Sequence, residues 1–292
     1  MCRRADFIEW TGCESFPCSF SGTRWLEDIQ VAQRALDLWG SITVYVDKVS
    51  AGPNSRKPKC ASFINVQRVV KGDSTIVAKL HFFIRVAKIL KPFLEKFQSN
   101  NPMMPFVEQE LLNVLKSLLE NFVKPSKLGD SPTLLEIFSV DLEEESNLIE
   151  CRKVTIGLGA KEEILRLTLS EQKMREFKSE CLKCYKAITE KLKSRFGMET
   201  IDVLTNLSAL SPRFIFNHPN KSISRFENLL IYLIRKKLVK SERGDQILSQ
   251  YKDVNRKVRS ERKHESLEYA PTKTRLDSFF NELIGGDPEY AG

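Results

Sequence analysis

Histidine is scarce in this chain. There are three, His81, His218 and His264, far apart in the sequence. None stands in a His-Glu-x-x-His pair or beside a Ser or Cys in a nucleophile motif, and no phosphate loop or Gly-x-Ser-x-Gly turn occurs. No run of 18 apolar residues exists, which removes a membrane-spanning helix from the expectations. Strand-like alternation is almost missing, which argues against a sheet, and no repeat of 30–50 residues points to a solenoid. The opening stretch "MCRRADFIEWTGCESFPC" has basic residues, but acids and cysteines interrupt any apolar core, so no secretory signal is read there. Seven cysteines without such a signal do not read as a disulfide framework. An intracellular, reducing compartment is expected, the nucleus among those compatible.

What the sequence has in abundance is helical period. In "TRWLEDIQVAQRALDLWGSITVYV" the residues Leu26, Ile29, Ala32, Leu36, Trp39, Ile42, Val46 and Val49 recur at three- and four-residue steps, so one long helix is expected, weakened by Gly40. "STIVAKLHFFIRVAKILKPFLEKFQSNN" reads as a strongly apolar helix with a kink before Pro92. "FVEQELLNVLKSLLENFVK" starts after Pro105 and stops at Pro125. Further helices follow in "AKEEILRL", "EQKMREFKSECLKCYKAITEKLKSRF", "ETIDVLTNLSAL", "SRFENLLIYLIRKKLV" and "ERGDQILSQYKDVNRKVR". The best strand-like stretch is "CRKVTIGLG". About nine helices with so little strand predict an all-α, multi-helix bundle. The expected organisation is an irregular leader over 1–22, a helical domain over 23–250, and a basic C-terminal helix and tail over 251–292. Trp25, Leu36, Trp39, Phe93, Leu115, Leu119, Phe177 and Leu230 are expected to be buried.

Candidate chemistry is sparse. Cys181 and Cys184 form a Cys-x2-Cys pair, and Cys13 and Cys18 could complete a zinc set. The pair lies inside a long predicted helix rather than on a knuckle, so packing on a half-buried face is the better account, and no metal or cofactor is expected. The acids Asp141 and Glu143, Glu144 and Glu145 lie in a loop with no Lys or Arg over 128–151 and read as a solvated surface. Basic charge is concentrated elsewhere: residues 235–263 hold eleven Lys or Arg against four acids, in a chain of net charge +8. Within "YKDVNRKVRSERKHES", Tyr251 accompanies Lys252, Arg256, Lys257, Arg259, Arg262 and Lys263. On a helix these cations can face a phosphate backbone, without base specificity and with strong salt dependence. The plainer account is a solvated terminal helix.

Three stretches carry a resemblance. "TRWLEDIQVAQRALDLW" (23–39) is similar to the helix that opens the helical insertion domain of hAT-superfamily transposases and their domesticated descendants. "LSALSPRF" (207–214) resembles a segment late in the same insertion, and "TRLDSFFNELIGG" (274–286) resembles the run toward the family's dimerisation region. Arg24 and Trp25 at the front, and Pro212, Arg213 and Phe214 at the back, match residue by residue. Ser211 departs from the pattern, standing where the family has Asp.

The resemblance implies an RNase H-like core interrupted by this all-α insertion, with three acids holding two metal ions for strand cleavage. Two of those acids would precede the insertion. Only Asp6, Glu9 and Glu14 do so here, with no strand-like context, so no catalytic acid is carried over; Glu282 is only loosely placed for the third. The implied reading is a non-catalytic derivative of such a transposase. Its partners would be DNA, through the basic arm, or a related transposase-like protein, through the bundle surface. Trp25, linked in the family to the DNA-processing site, is read here as an apolar anchor of the bundle. The rival reading is a helical protein-interaction scaffold with no nucleic-acid role. Neither involves a membrane or a small-molecule substrate.

Overall fold

A computed structural model describes residues 4–21, 27–52 and 58–285. The helices in order are α1 (Arg4–Thr11), α2 (Asp28–Asp37), α3 (Trp39–Ala51), α4 (Ala61–Gly72), α5 (Ile76–Lys96), α6 (Val107–Leu119), α7 (Pro125–Leu128), α8 (Leu134–Ser139), α9 (Leu158–Arg166), α10 (Glu171–Arg195), α11 (Met198–Leu207), α12 (Pro212–Asn217), α13 (Pro219–Arg235), α14 (Gly244–Ser260), α15 (Lys263–Glu268) and α16 (Leu276–Ile284). Short 3-10 turns join several of them, and no strand occurs among the described residues. The all-α expectation holds. No helix among the described residues is long and apolar enough to cross a membrane.

Two compact units share the chain. The first comprises Met1–Lys91 and Leu148–Lys186, the second Pro92–Asn147 and Ala187–Gly292. In the first, Tyr185 of α10 is fully buried and meets Phe82 of α5 edge to face, with ring centroids 5.1 Å apart. A satellite cluster joins Phe7, Tyr45 and Val49 with Trp10, Phe16 and Phe63. In the second, α6 contributes Leu111, Leu115, Leu118 and Leu119, all fully buried. A further cluster there gathers Phe106, Ile215, Tyr251, Val254, Val258, Tyr269, Leu276, Phe279 and Leu283. Residues 251–285 are therefore built into this core and not appended to it.

Three local expectations need correction. The leader is not irregular throughout, since 4–11 is helical. Its apolar residues have no clear period; tertiary contacts hold it instead, with the Phe7 ring 5.4 Å from Tyr45 and the Arg4 guanidinium 4.9 Å above Phe16. The long helix over 23–49 is broken at Leu38, whose φ of −98° and ψ of 4° leave the helical region. Six residues separate the buried Ala32 and Leu38, about 240° of rotation on a continuous helix. The break lets both be buried, while Leu36 and Trp39 are only partly so. Third, "CRKVTIGLG" forms no strand. Val154 and Ile156 are buried and Thr155 exposed, so the alternation is real. A side chain supplies the partner that a strand would have given: the Tyr185 hydroxyl donates to the Thr155 carbonyl at 3.1 Å.

Of the residues expected in the core, Leu115, Leu119, Phe177 and Leu230 are buried. Leu36, Trp39 and Phe93 are half-buried. Trp25 lies outside the described residues. Helix α5 continues through Pro92 to Lys96.

Candidate nucleic-acid interface

Helix α14 has two contrasting sides. Tyr251, Val254, Asn255 and Val258 follow the i, i+3, i+4, i+7 pattern and are buried. Lys252, Arg256 and Arg259 follow i, i+4, i+7 one step out of phase and are exposed. The same helical period therefore sorts apolar residues inward and cations outward. Lys257 is half-buried at the edge of this stripe. Lys263, exposed, opens α15. Arg262 is half-buried and turned inward to acids, pairing with Glu265 and lying 3.7 Å from Glu282. Arg256 bonds Asp253 one turn back, and Lys252, Arg259 and Lys263 make no ion pair among the described residues.

The buried side of α14 is anchored by polar groups that the sequence did not single out. Tyr251 was grouped with the cations in the sequence, but it is 5% exposed and offers no ring to a base. It stacks on Phe226 with centroids 3.8 Å apart, and its hydroxyl donates to the Ala209 carbonyl at 2.7 Å. Burial pushes its pKa up to about 12, opposed by hydrogen bonds with Ser222 and Asn255. Asn255 donates to Ser222 Oγ at 2.7 Å and to the Pro219 carbonyl at 3.2 Å. A buried amide satisfied in this way fixes the rotation of α14 about its own axis, and hence the direction of the cationic stripe.

The "LSALSPRF" segment supports the same helix. Pro212 is buried at the start of α12, where its missing N–H costs nothing. Arg213 donates to the Leu267 carbonyl from Nε at 3.1 Å and Nη2 at 2.9 Å, tying α12 to α15. Phe214 lies under the Arg225 guanidinium at 4.4 Å. Arg225 in turn holds Glu108 through two hydrogen bonds, of 2.8 and 3.2 Å, and also bonds Ser208. This residue was not legible as important: its partner Glu108 lies 117 positions earlier in the chain. Ser211 is 8% exposed, so a neutral side chain is cheaper to bury there than an Asp would be. Arg24 and Trp25 lie outside the described residues.

The remaining candidates are local. Cys181 is buried in mid-helix and its pKa is pushed up to about 12, mainly by burial; burial raises Cys184 too. Among the described residues no group of three or more His, Cys, Asp or Glu could hold a metal ion. In the acidic loop, Asp141 accepts the Glu143 amide at 2.8 Å and Glu144 accepts the Ser146 hydroxyl, so these acids shape their own turn. Glu282 is exposed on α16. No known protein family, curated protein or solved structure matches the chain.

Proposed function

We propose that this chain is a non-catalytic helical binding module, derived from the insertion domain of a hAT-type transposase, that binds nucleic acid through its phosphate backbone. The observation that carries the reading is the exposed stripe Lys252, Arg256 and Arg259, about 100° around α14 from its buried face. The helix dipole favours cations in the last turn by about 0.3–1 kcal/mol. That explains Lys257 and Arg259, but not Lys252 and Arg256, which stand earlier. Lys252 and Arg259, seven residues apart, are spread over about 10 Å of helix, so each cation of the stripe can meet a separate phosphate of one backbone. With Tyr251 buried, the stripe offers cations and no ring to stack on a base, and the binding we propose is through phosphates and independent of sequence.

The test is fluorescence anisotropy with random-sequence duplex DNA across a salt series. Four phosphate contacts, counting Lys263, give a slope of log K against log salt of about −3.6. In the triple variant Lys252→Glu, Arg256→Glu, Arg259→Glu the slope should flatten by about 2.7. Unchanged affinity and slope would discard the nucleic-acid role and leave the protein-interaction scaffold.

A further inference from the structure

A cleft of about 420 Å³ lies in the unit formed by Met1–Lys91 and Leu148–Lys186. One wall is α5, which presents His81, Arg85 and Lys88 at i, i+4 and i+7 and therefore on one side. The other wall is the start of α9: Gly157, Leu158, Gly159 and Ala160. No carboxylate lines the cleft; Gln33 is the remaining polar side chain.

The two walls are fitted closely. Gly157 has a φ of +87°, which disfavours any side chain, and a Cβ there would come 2.7 Å from Arg85 Cδ. A Cβ on Gly159 would come 2.7 Å from His81 Nδ1. Glycine at both positions thus lets the arginine and the imidazole lie directly on the helix backbone. Arg85 is also held from behind. It hydrogen-bonds Tyr185, the fully buried tyrosine whose hydroxyl donates to Thr155 two residues before Gly157.

The electrostatics of this arrangement run against the usual rule. Acids or a capping side chain normally meet a helix N-terminus. Helix α9 has no acid in its first turn and no side-chain cap. No group among the described residues accepts the amides of Leu158, Gly159 or Ala160. Instead the positive end of the helix faces two permanent cations and an imidazole. Like charges gathered in one recess, with donors from both walls and no carboxylate, are complementary to an anion. The donors outnumber what one carboxylate can accept and suit the three terminal oxygens of a phosphate.

We infer that this cleft is a binding site for a phosphate group, held by Arg85, Lys88 and His81 against the first turn of α9. The inference is independent of the α14 reading, because the two sites lie in different units and share no residue. It is tested on the full chain by isothermal titration with inorganic phosphate, pyrophosphate, and a short single strand with and without a 5′-phosphate. The oligonucleotide arms use the Lys252→Glu, Arg256→Glu, Arg259→Glu variant so that α14 does not contribute. Saturable binding at one site, weakened at least tenfold by Lys88→Glu or Arg85→Gln, is expected. Lys88 is exposed, so its substitution leaves the fold intact even if loss of Arg85 does not. Uptake of inorganic phosphate or pyrophosphate alone identifies a free phosphate as the source. Uptake that requires the 5′-phosphorylated strand identifies a nucleic-acid end. No saturable binding of any probe, or binding unaffected by Lys88→Glu, overturns the assignment.

Discussion

Replacing Arg225 should cost more stability than replacing any cation of the α14 stripe, although its ion pair with Glu108 is only partly enclosed. The side chains of Arg225 and Glu108 are 20% and 15% exposed, so solvent screens the pair in part. Two charge-assisted hydrogen bonds contribute about 1.5–3 kcal/mol each at full burial, and the stack on Phe214 about 0.5–1 kcal/mol. Discounted for exposure, Arg225→Met should destabilise by about 2–4 kcal/mol, because Glu108 is left half-enclosed without its partner. Arg225→Lys keeps the charge but cannot fork to Glu108 while covering Phe214, and should cost about half as much. Urea denaturation followed by far-ultraviolet circular dichroism gives both numbers, and a double-mutant cycle with Glu108→Gln should return a coupling of about 1–2 kcal/mol. A loss below about 1 kcal/mol for Arg225→Met, or no coupling, would refute the claim that this pair joins α6 to α13.

Two further predictions concern buried titratable groups. The pKa of Tyr251 rises from 10.0 to about 12 in the folded chain. A raised folded value means that its contribution is complete below pH 10 and is lost as pH climbs through 10–12. The two-unit shift is worth roughly 2–3 kcal/mol, and Tyr251→Phe should remove that part of the alkaline transition. Tyrosinate absorbance and circular dichroism against pH check this; an unchanged alkaline limb in the variant would count against it. At pH 8, iodoacetamide should label the exposed Cys18 and Cys60 well before Cys181, whose thiol is held up to about 12 by burial. Peptide mapping that found Cys181 among the first labelled would show that α10 opens readily.

The legibility of this fold from sequence followed the physics of each segment. Helices α10 and α11 were read closely because their period and their stop signals, such as Ser211-Pro212, are local, whereas α13 starts five residues before the expected stretch and ends four before its end. Helix α1 was missed because "RADFIEWT" has no apolar stripe, and its fixing partners Tyr45 and Phe63 lie far along the chain. "CRKVTIG" misled because its alternation is genuine but answers to a tyrosine side chain instead of a neighbouring strand. The basic arm was found by counting charges along the chain. Counting along the chain also drew in Tyr251 and Arg262, which rotation about the helix removes: one is buried, the other paired with Glu265 and Glu282. The cleft beside α9 gave no sequence signal, since Arg85 and Lys88 stand three residues apart on one helix and the glycines some seventy residues later at the start of another.

Net charge is therefore a poor measure of binding capacity in this chain, and the accounting of partners explains why. Arg225, and Lys193 through its bonds to the carbonyls of Phe138 and Val140, spend their donors on partly buried partners inside the protein. These cations contribute to the total of +8 but attract no ligand without unfolding something. Arg256 is the instructive intermediate. Its pair with Asp253 is a one-turn contact in which the arginine side chain is 77% exposed, and such pairs contribute only about 0.3–0.5 kcal/mol. A phosphate arriving on the stripe can displace Asp253 at that cost, and the released carboxylate is solvated in place. Arg225 offers no such exchange, because its acceptor Glu108 is only 15% exposed and takes two of its hydrogen bonds. Cations with cheap or absent partners define a surface that can bind an anion, and on α14 they lie on the exposed side.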